Sequence, residues 1–345
     1  MDADPSRLRF RSLLGCAVAG ACLAASGPAV AEEAPNLAGR TVQMLIGFGA
    51  GSGYDTWARL VARHIGEHLP GKPQVVPQNM KGAGSLIAAN NIYNVAPKDG
   101  TVIAAISRDA ALQPLSGAKG ARFDATKFTW LGTPTTETNV CVVFHTAKAK
   151  TIDDIFKVPV ILGDTGVGTG TYAYPKALNG LLGSQFKLVS GFHASSDVFL
   201  AIDRGEVEGI CESYSSAIKK RPDWIREKKL RFLFQGGAEP DPALKHIPFI
   251  LDYAKTAEQK QAIKYLYAGQ GFGRPFIAPP ALSPAVRDML TNAFDATMKD
   301  PDFLAEAKKS KLDVEPVSGK ALQKLVEEIY TTPRAVIDKV AKLIK

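Results

Sequence analysis

Two rhythms of apolar positions share the first part of the chain. Thr41 to Phe48 is a run with strand character, and Trp57, Leu60, Val61, Ile65 and Leu69 then fall at helical spacing. Arg59 and Arg63 take the opposite face of that helix. The glycine cluster Gly49-Ala50-Gly51-Ser52-Gly53 separates the two segments, and Pro70-Gly71 stops the helix. The same order then repeats. A strand at Gln74 to Val76 leads into the loop Met80 to Ser85 and a short helix from Leu86 to Tyr93. Asp99-Gly100 turns the chain into a third strand, Thr101 to Ile106. Strands alternating with helices predict a mostly parallel sheet covered on both faces.

The pattern restarts after Asn139. Val140 to Phe144 is apolar and β-branched, Thr151 is placed to cap a short helix ending near Phe156, and Val158 to Leu162 is a strand. A second glycine loop follows, Gly163 to Thr171, and then a helix, a strand near Phe186 to Val189, a helix from Ser196 to Arg204 and a strand Val207 to Cys211. Two similar units in succession predict two lobes around a cleft. After Pro280 the chain reads as helical: Ser283 caps one helix, and Gly319 precedes another with Leu322, Leu325, Val326 and Ile329 in phase. A helical tail without a sheet packs back on a lobe.

Residues 1–31 change the picture of where the protein works. Arg7, Arg9 and Arg11 precede an apolar run from Leu13 to Ala25, and Ala29-Val30-Ala31 supplies a small-x-small cleavage pattern before Glu32. That run is too short for a spanning helix, so a removed export signal is predicted. Cleavage removes three arginines and two aspartates, which takes the formal net charge from +8 to +7. It also removes Cys16 and Cys22 and leaves Cys141 and Cys211, which are either a disulfide or two buried thiols. The basic excess suits an anionic ligand. Its residues are scattered without an aromatic-interleaved stripe, so nucleic acid is not an expected partner.

In open α/β sheets, ligands sit beyond the carboxyl ends of the strands, where glycine loops meet helix N-termini. Three loops fit that place: Gly49, Gly51, Ser52, Gly53, Tyr54 and Asp55; Gly82, Ala83, Gly84 and Ser85; and Thr165, Gly166, Gly168, Thr169, Gly170 and Thr171. Their glycines allow close backbone approach, and their hydroxyls can donate to a carboxylate. Arg108 directly follows the third strand; it either forks onto a carboxylate in the cleft or pairs on the surface with Asp109. A dinucleotide fingerprint fails, because Gly47-Phe48-Gly49 lacks its third glycine at Ser52. His64-Ile65-Gly66-Glu67-His68 matches a zinc-peptidase pattern, but Gly66 and the stop at Pro70 argue against a metal helix. No G-x-S-x-G elbow is present, so neither an enzyme nor a cofactor or metal is expected.

The order of these loops resembles the substrate-binding receptors of the tripartite tricarboxylate transporter family, over essentially the whole mature chain. The resemblance is carried by Gly49 to Arg59, by Gln78-Asn79-Met80-Lys81-Gly82-Ala83-Gly84, and by Ala96-Pro97-Lys98-Asp99-Gly100-Thr101. Tyr54 stands where members often have Ser or Thr, and Gly191 to Ser196 replaces a Tyr-x-Gly-Gly run. The resemblance implies a type II periplasmic-binding fold of two lobes, residues 36–140 with 270–345 and residues 141–269. It also implies a monomeric periplasmic receptor that closes on a small carboxylate, held by the three loops, and delivers it to membrane transporter subunits. A periplasmic sensor module and a secreted enzyme are the alternative readings. In such folds the strand of Cys141 lies beside that of Cys211, which implies a disulfide between them.

Overall fold

A computed structural model of the protein describes residues 35–345, apart from Gly168 and Ala238. The expected export signal, with Cys16 and Cys22, lies outside the described residues. The described strands form two mixed sheets, of six and of five strands. The first opens with β1 (Thr41–Ile46), α1 (Gly53–Ile65), β2 (Gln74–Asn79), α2 (Leu86–Asn94), β3 (Val102–Ala105) and β4 (Thr129–Thr133). The second holds β5 (Asn139–Phe144), β6 (Val160–Asp164), α3 (Gly170–Leu182), β7 (Phe186–Ser190), α4 (Ser195–Asp203), β8 (Gly209–Ser213), α5 (Tyr214–Lys220), α6 (Pro222–Arg226), β9 (Leu230–Gly236) and α7 (Ala257–Tyr267). The chain returns with β10 (Phe276–Ala278), α8 (Pro284–Thr297), α9 (Pro301–Lys309), β11 (Val317–Ser318), α10 (Gly319–Tyr330) and α11 (Arg334–Leu343).

The sheet orders are β11-β4-β10-β3-β1-β2 and β7-β6-β8-β5-β9. The parallel pairing expected from alternating strands and helices is found in β2-β1-β3 and in β7-β6-β8. The strands where the chain crosses or returns add antiparallel pairs: β10 with β3 and β4, β11 with β4, and β5 with β8 and β9. The C-terminal half of β1, Met44 to Ile46, is buried on both faces, as suits a strand flanked by parallel neighbours. Val42, Met44 and Ile46 join one core with Trp57, Leu60, Val61 and Ile65 of α1. Leu45 joins another that continues through Cys141, Val143 and Leu233 of the second sheet. Each large apolar side chain buried in this way stabilises the fold by roughly 1.5–3 kcal/mol.

Cys141 and Cys211 lie opposite each other in the β5–β8 register and form a disulfide. The bond closes a separation of 70 residues, worth ~4 kcal/mol on the loop-entropy estimate.

The tail serves both sheets. Within the tail, α10 packs on β4, whereas α11 packs on α7 and α3 of the second sheet's side. Leu343 of α11 sits so close over Gly180 that a Cβ there would clash. Val336, Ile337 and Val340 are buried in the same core as residues of α3 and α7.

Candidate functional site

A cavity of about 300 Å³ lies beyond the carboxyl ends of β1, β3, β6 and β8, between the two lobes. Phe48, Gly53 and Tyr54 follow β1, Ser107, Arg108 and Asp109 follow β3, Thr169, Gly170 and Thr171 follow β6, and Glu212 and Ser213 end β8. The first turns of α1 and α3 both border it, one from each lobe. Their unpaired backbone N–H groups make the site favourable to an anion.

Arg108 is the centre of the cavity's hydrogen bonding. It is 7 % exposed, its Nη1 donates to Gln270 Oε1 at 2.7 Å, its Nη2 to Ser213 Oγ at 3.3 Å and its Nε to Tyr54 Oη at 3.2 Å. Its backbone N–H also donates to Tyr54 Oη, at 3.0 Å. All of these acceptors are neutral, and Arg108 forms no ion pair among the described residues. The surface pairing with Asp109 is thus not adopted. Gln270 passes the network on by donating from Nε2 to Tyr174 Oη.

A second buried guanidinium, Arg274, pairs with Glu137 at 2.7 Å and lies over the Tyr54 ring, 4.4 Å from its centroid. A Cβ at Gly53 would come within 3.3 Å of Arg274 Nη2, so glycine there is a matter of close approach. Burial opposes ionisation of Tyr54, yet the guanidiniums of Arg108 and Arg274 outweigh it and hold the phenol below its ordinary pKa. Burial likewise opposes a charged Glu137, and the same two arginines overcome it, so its carboxyl is held low. Asp109 and Glu212 go the other way. Burial dominates at both and pushes their carboxyls up, although Glu212 accepts from Lys220 Nζ at 3.0 Å.

The expected loop residues divide into wall and framework. Gly53, Tyr54, Gly84, Arg108, Thr169, Gly170 and Thr171 line the cavity. Ser52 instead caps α1 by accepting from Asp55 N, and Asp55 accepts from Gly51 N, Arg59 and Asn79. Gly49 and Gly166 shape their turns without joining the wall. Thr165 is hydrogen-bonded to Thr171. Gly82, Ala83, Gly84 and Ser85 all have positive φ, and only Gly84 of the four borders the cavity. The two non-glycines, Ala83 at 47° and Ser85 at 77°, each hold about 1 kcal/mol or more of backbone strain. Gly168 lies outside the described residues.

Several wall residues have no local signature: Gln113, Asn139, Tyr174, Glu212, Ser213, Gln270 and Arg274. A usable signal existed at one of them. Arg274 is a single charge in an apolar stretch, and a charge buried among apolar neighbours needs a partner or a ligand.

A second cavity of about 530 Å³ adjoins the first and is walled mainly by apolar side chains of α3, α7, α11 and the loop after β3. The zinc-like histidines sit elsewhere. His64 pairs with Glu306 at 2.7 Å and His68 with Asp300 at 2.8 Å, which fastens α1 and the turn after it to α9. Among the described residues no three His, Cys, Asp or Glu side chains are grouped to hold a metal.

Two α/β lobes enclosing a small cation-lined cleft at the strand ends have the build of a solute-binding receptor. The chain belongs to the tripartite tricarboxylate transporter receptor family, whose family model matches residues 57–342. A curated relative, a UPF0065 protein in the gbd 5′ region of Cupriavidus necator, is 22 % identical over 96 % of this chain and 97 % of its own. In fold, the chain resembles a TctC solute-binding protein from Polaromonas (TM-score 0.66, 15 % identity, 87 % of this chain and 99 % of that one). MatC from Rhodopseudomonas palustris, solved with bound malate, matches at TM-score 0.59 and 19 % identity over 88 % and 99 % of the two chains. A further R. palustris protein, solved with adipate, matches at TM-score 0.61 and 18 % identity over 89 % and 97 %.

Proposed function

We propose that this receptor works outside the cytoplasmic membrane, captures a small organic carboxylate between its lobes, and delivers it to the membrane subunits of a transporter. The observation that carries the proposal is Arg108. A buried guanidinium with only neutral partners leaves one positive charge at the centre of the cleft, and a carboxylate satisfies it with a forked, charge-assisted pair. The helix N-termini of α1 and α3 add donors from opposite walls, so the same anion draws the lobes together. The malate and adipate held by two proteins of the same fold are carboxylates, which agrees with this reading. The apolar and basic pattern of residues 1–31 supports export through a cleaved signal.

The test is a thermal-shift and calorimetric screen of the exported protein against mono-, di- and tricarboxylates, with matched amides as neutral controls. A ligand at 100 times its Kd adds about 2.7 kcal/mol of stability, a readily measured shift. Selective stabilisation by carboxylates is the expected result. Equal shifts with the amides, or none with any carboxylate from ligand-free folded protein, would reject the proposal.

A further inference from the structure

The cation-lined cleft does not end at its own wall. Gly84, Asp109, Gln113, Thr169, Gly170 and Tyr174 line both it and the larger cavity of about 530 Å³, so the two spaces adjoin through a shared partition. Beyond that partition the surroundings change character. Leu86, Leu112, Ala173, Leu266, Val340 and Ile344 make the larger cavity mainly apolar. Together the two spaces measure about 830 Å³, within the usual range for a ligand site and far more than one carboxylate group fills.

Charge fixes what can enter each part. In the smaller cavity Arg274 is neutralised by Glu137, and Glu212 pairs with Lys220, which does not line the cavity; this leaves Arg108 as the cation awaiting an anion. At the partition stands Asp109, an acid that offers no cation to a second carboxylate passing beyond it. Lys345, exposed at the end of the chain, is the one cation among the described residues that line the larger cavity; the lining side chains of α3, α7 and the loop after β3 carry none.

We infer that the ligand is a monocarboxylate with an apolar chain or ring, its carboxylate on Arg108 and its apolar part in the adjoining cavity. The inference rests on the carboxylate reading of Arg108 and adds the substrate class. Each methylene moved from water into the apolar cavity contributes about fourfold in affinity, the factor equivalent to ~0.8 kcal/mol. A second carboxylate among the apolar side chains would lose its hydration without gaining a partner, since Lys345 lies at the exposed end.

The experiment is isothermal titration of the exported protein with acetate, butyrate, hexanoate and octanoate, with octanedioate for comparison. Affinity should rise about fourfold per methylene from butyrate to octanoate. Octanedioate should bind at least tenfold more weakly than octanoate. Ala173→Phe, which fills the larger cavity from α3 without touching the cation-lined wall, should cut octanoate binding at least tenfold and leave butyrate within about twofold. Affinity independent of chain length, octanedioate equal to octanoate, or a loss with Ala173→Phe that is the same for both acids would each overturn the inference. In those cases short carboxylates would still bind, and the carboxylate reading would stand. If no carboxylate binds at all, both fall together.

Discussion

The loop after β1 and the loop after β6 occupy matching places, since each follows the middle strand of a parallel trio, β2-β1-β3 or β7-β6-β8. They are fastened by different chemistry. In the first, Asp55 accepts from Gly51 N at 2.8 Å, from Arg59 Nε at 2.9 Å and from Asn79 Nδ2 at 2.8 Å. Asn79 lies at the end of β2, so that loop is tied by a charge network to a neighbouring strand. In the second, the hydroxyls of Thr165 and Thr169 both meet Thr171 Oγ1, at 2.9 and 2.8 Å, and Thr169 Oγ1 donates to Gly166 O at 2.7 Å. Here the fastening is mostly local and neutral, joined by Asp164, which accepts from Gly166 N and Ser190 Oγ. The lesson is a division of labour. The first lobe presents the cation beside a loop tied by charge to a neighbouring strand, and the second presents a loop tied mostly by its own hydroxyls.

The largest expected effect comes from removing the charge that the first lobe presents. Arg108→Ala should weaken carboxylate binding by about 100-fold or more, with a far smaller effect on neutral analogues. Titration with a carboxylate and its amide checks this; equal losses for both would take Arg108 out of the ligand's reach.

Next comes the first loop itself. Asp55→Asn keeps the shape but removes the charge that accepts three donors, and should lower stability by about 2 kcal/mol in denaturant unfolding. That figure already allows for Arg59 being partly exposed. The pH dependence follows from the same carboxyl. Burial opposes its charge, but hydrogen bonds from Arg59, Asn79 and Gly51 N outweigh burial and hold its pKa below the ordinary value. A depressed folded pKa contributes stability above the unfolded value of about 4, and that contribution is lost as pH falls through the folded one. The deficit of Asp55→Asn should therefore shrink on going below about pH 4.

The smallest effect is expected at the second loop. Thr171→Val leaves the Thr165 N–H and the hydroxyls of Thr165 and Thr169 short of a partner and should cost about 1 kcal/mol, with no change in that deficit across the same pH range. A pH-dependent deficit would mean that the second loop, too, is held by charge.

The parts of the site carried by local chemistry were legible in the sequence. Glycine clusters after apolar strands marked both loops, and Arg108 stood out because it ends a buried strand. The parts made by convergence were not. Gln270 reaches Arg108 across 162 positions, and Glu137 meets Arg274 only because the chain returns through β10 beside β3. β10 itself is three residues between Pro275 and Pro279, which read as breaks. β4 and β9 escaped notice for a similar reason: they pair antiparallel with strands far away, so no helix of their own follows to complete the alternating pattern. The framework roles of Ser52 and Asp55 could not be told from ligand roles in the sequence, since residues suited to bind an anion are also those suited to cap a helix.

The short link between α10 and α11 has a mechanical meaning. The chain passes between the lobes three times, between β4 and β5, between β9 and β10, and again at Thr331-Thr332-Pro333. Two crossings define a hinge line, and a third restrains rotation about it. Three residues reach roughly 10 Å when fully drawn out, so wide parting of the lobes must either halt there or peel α11 away from α7. The C-terminal helix is thus a third tie between the lobes, beside the two crossings of the sheets.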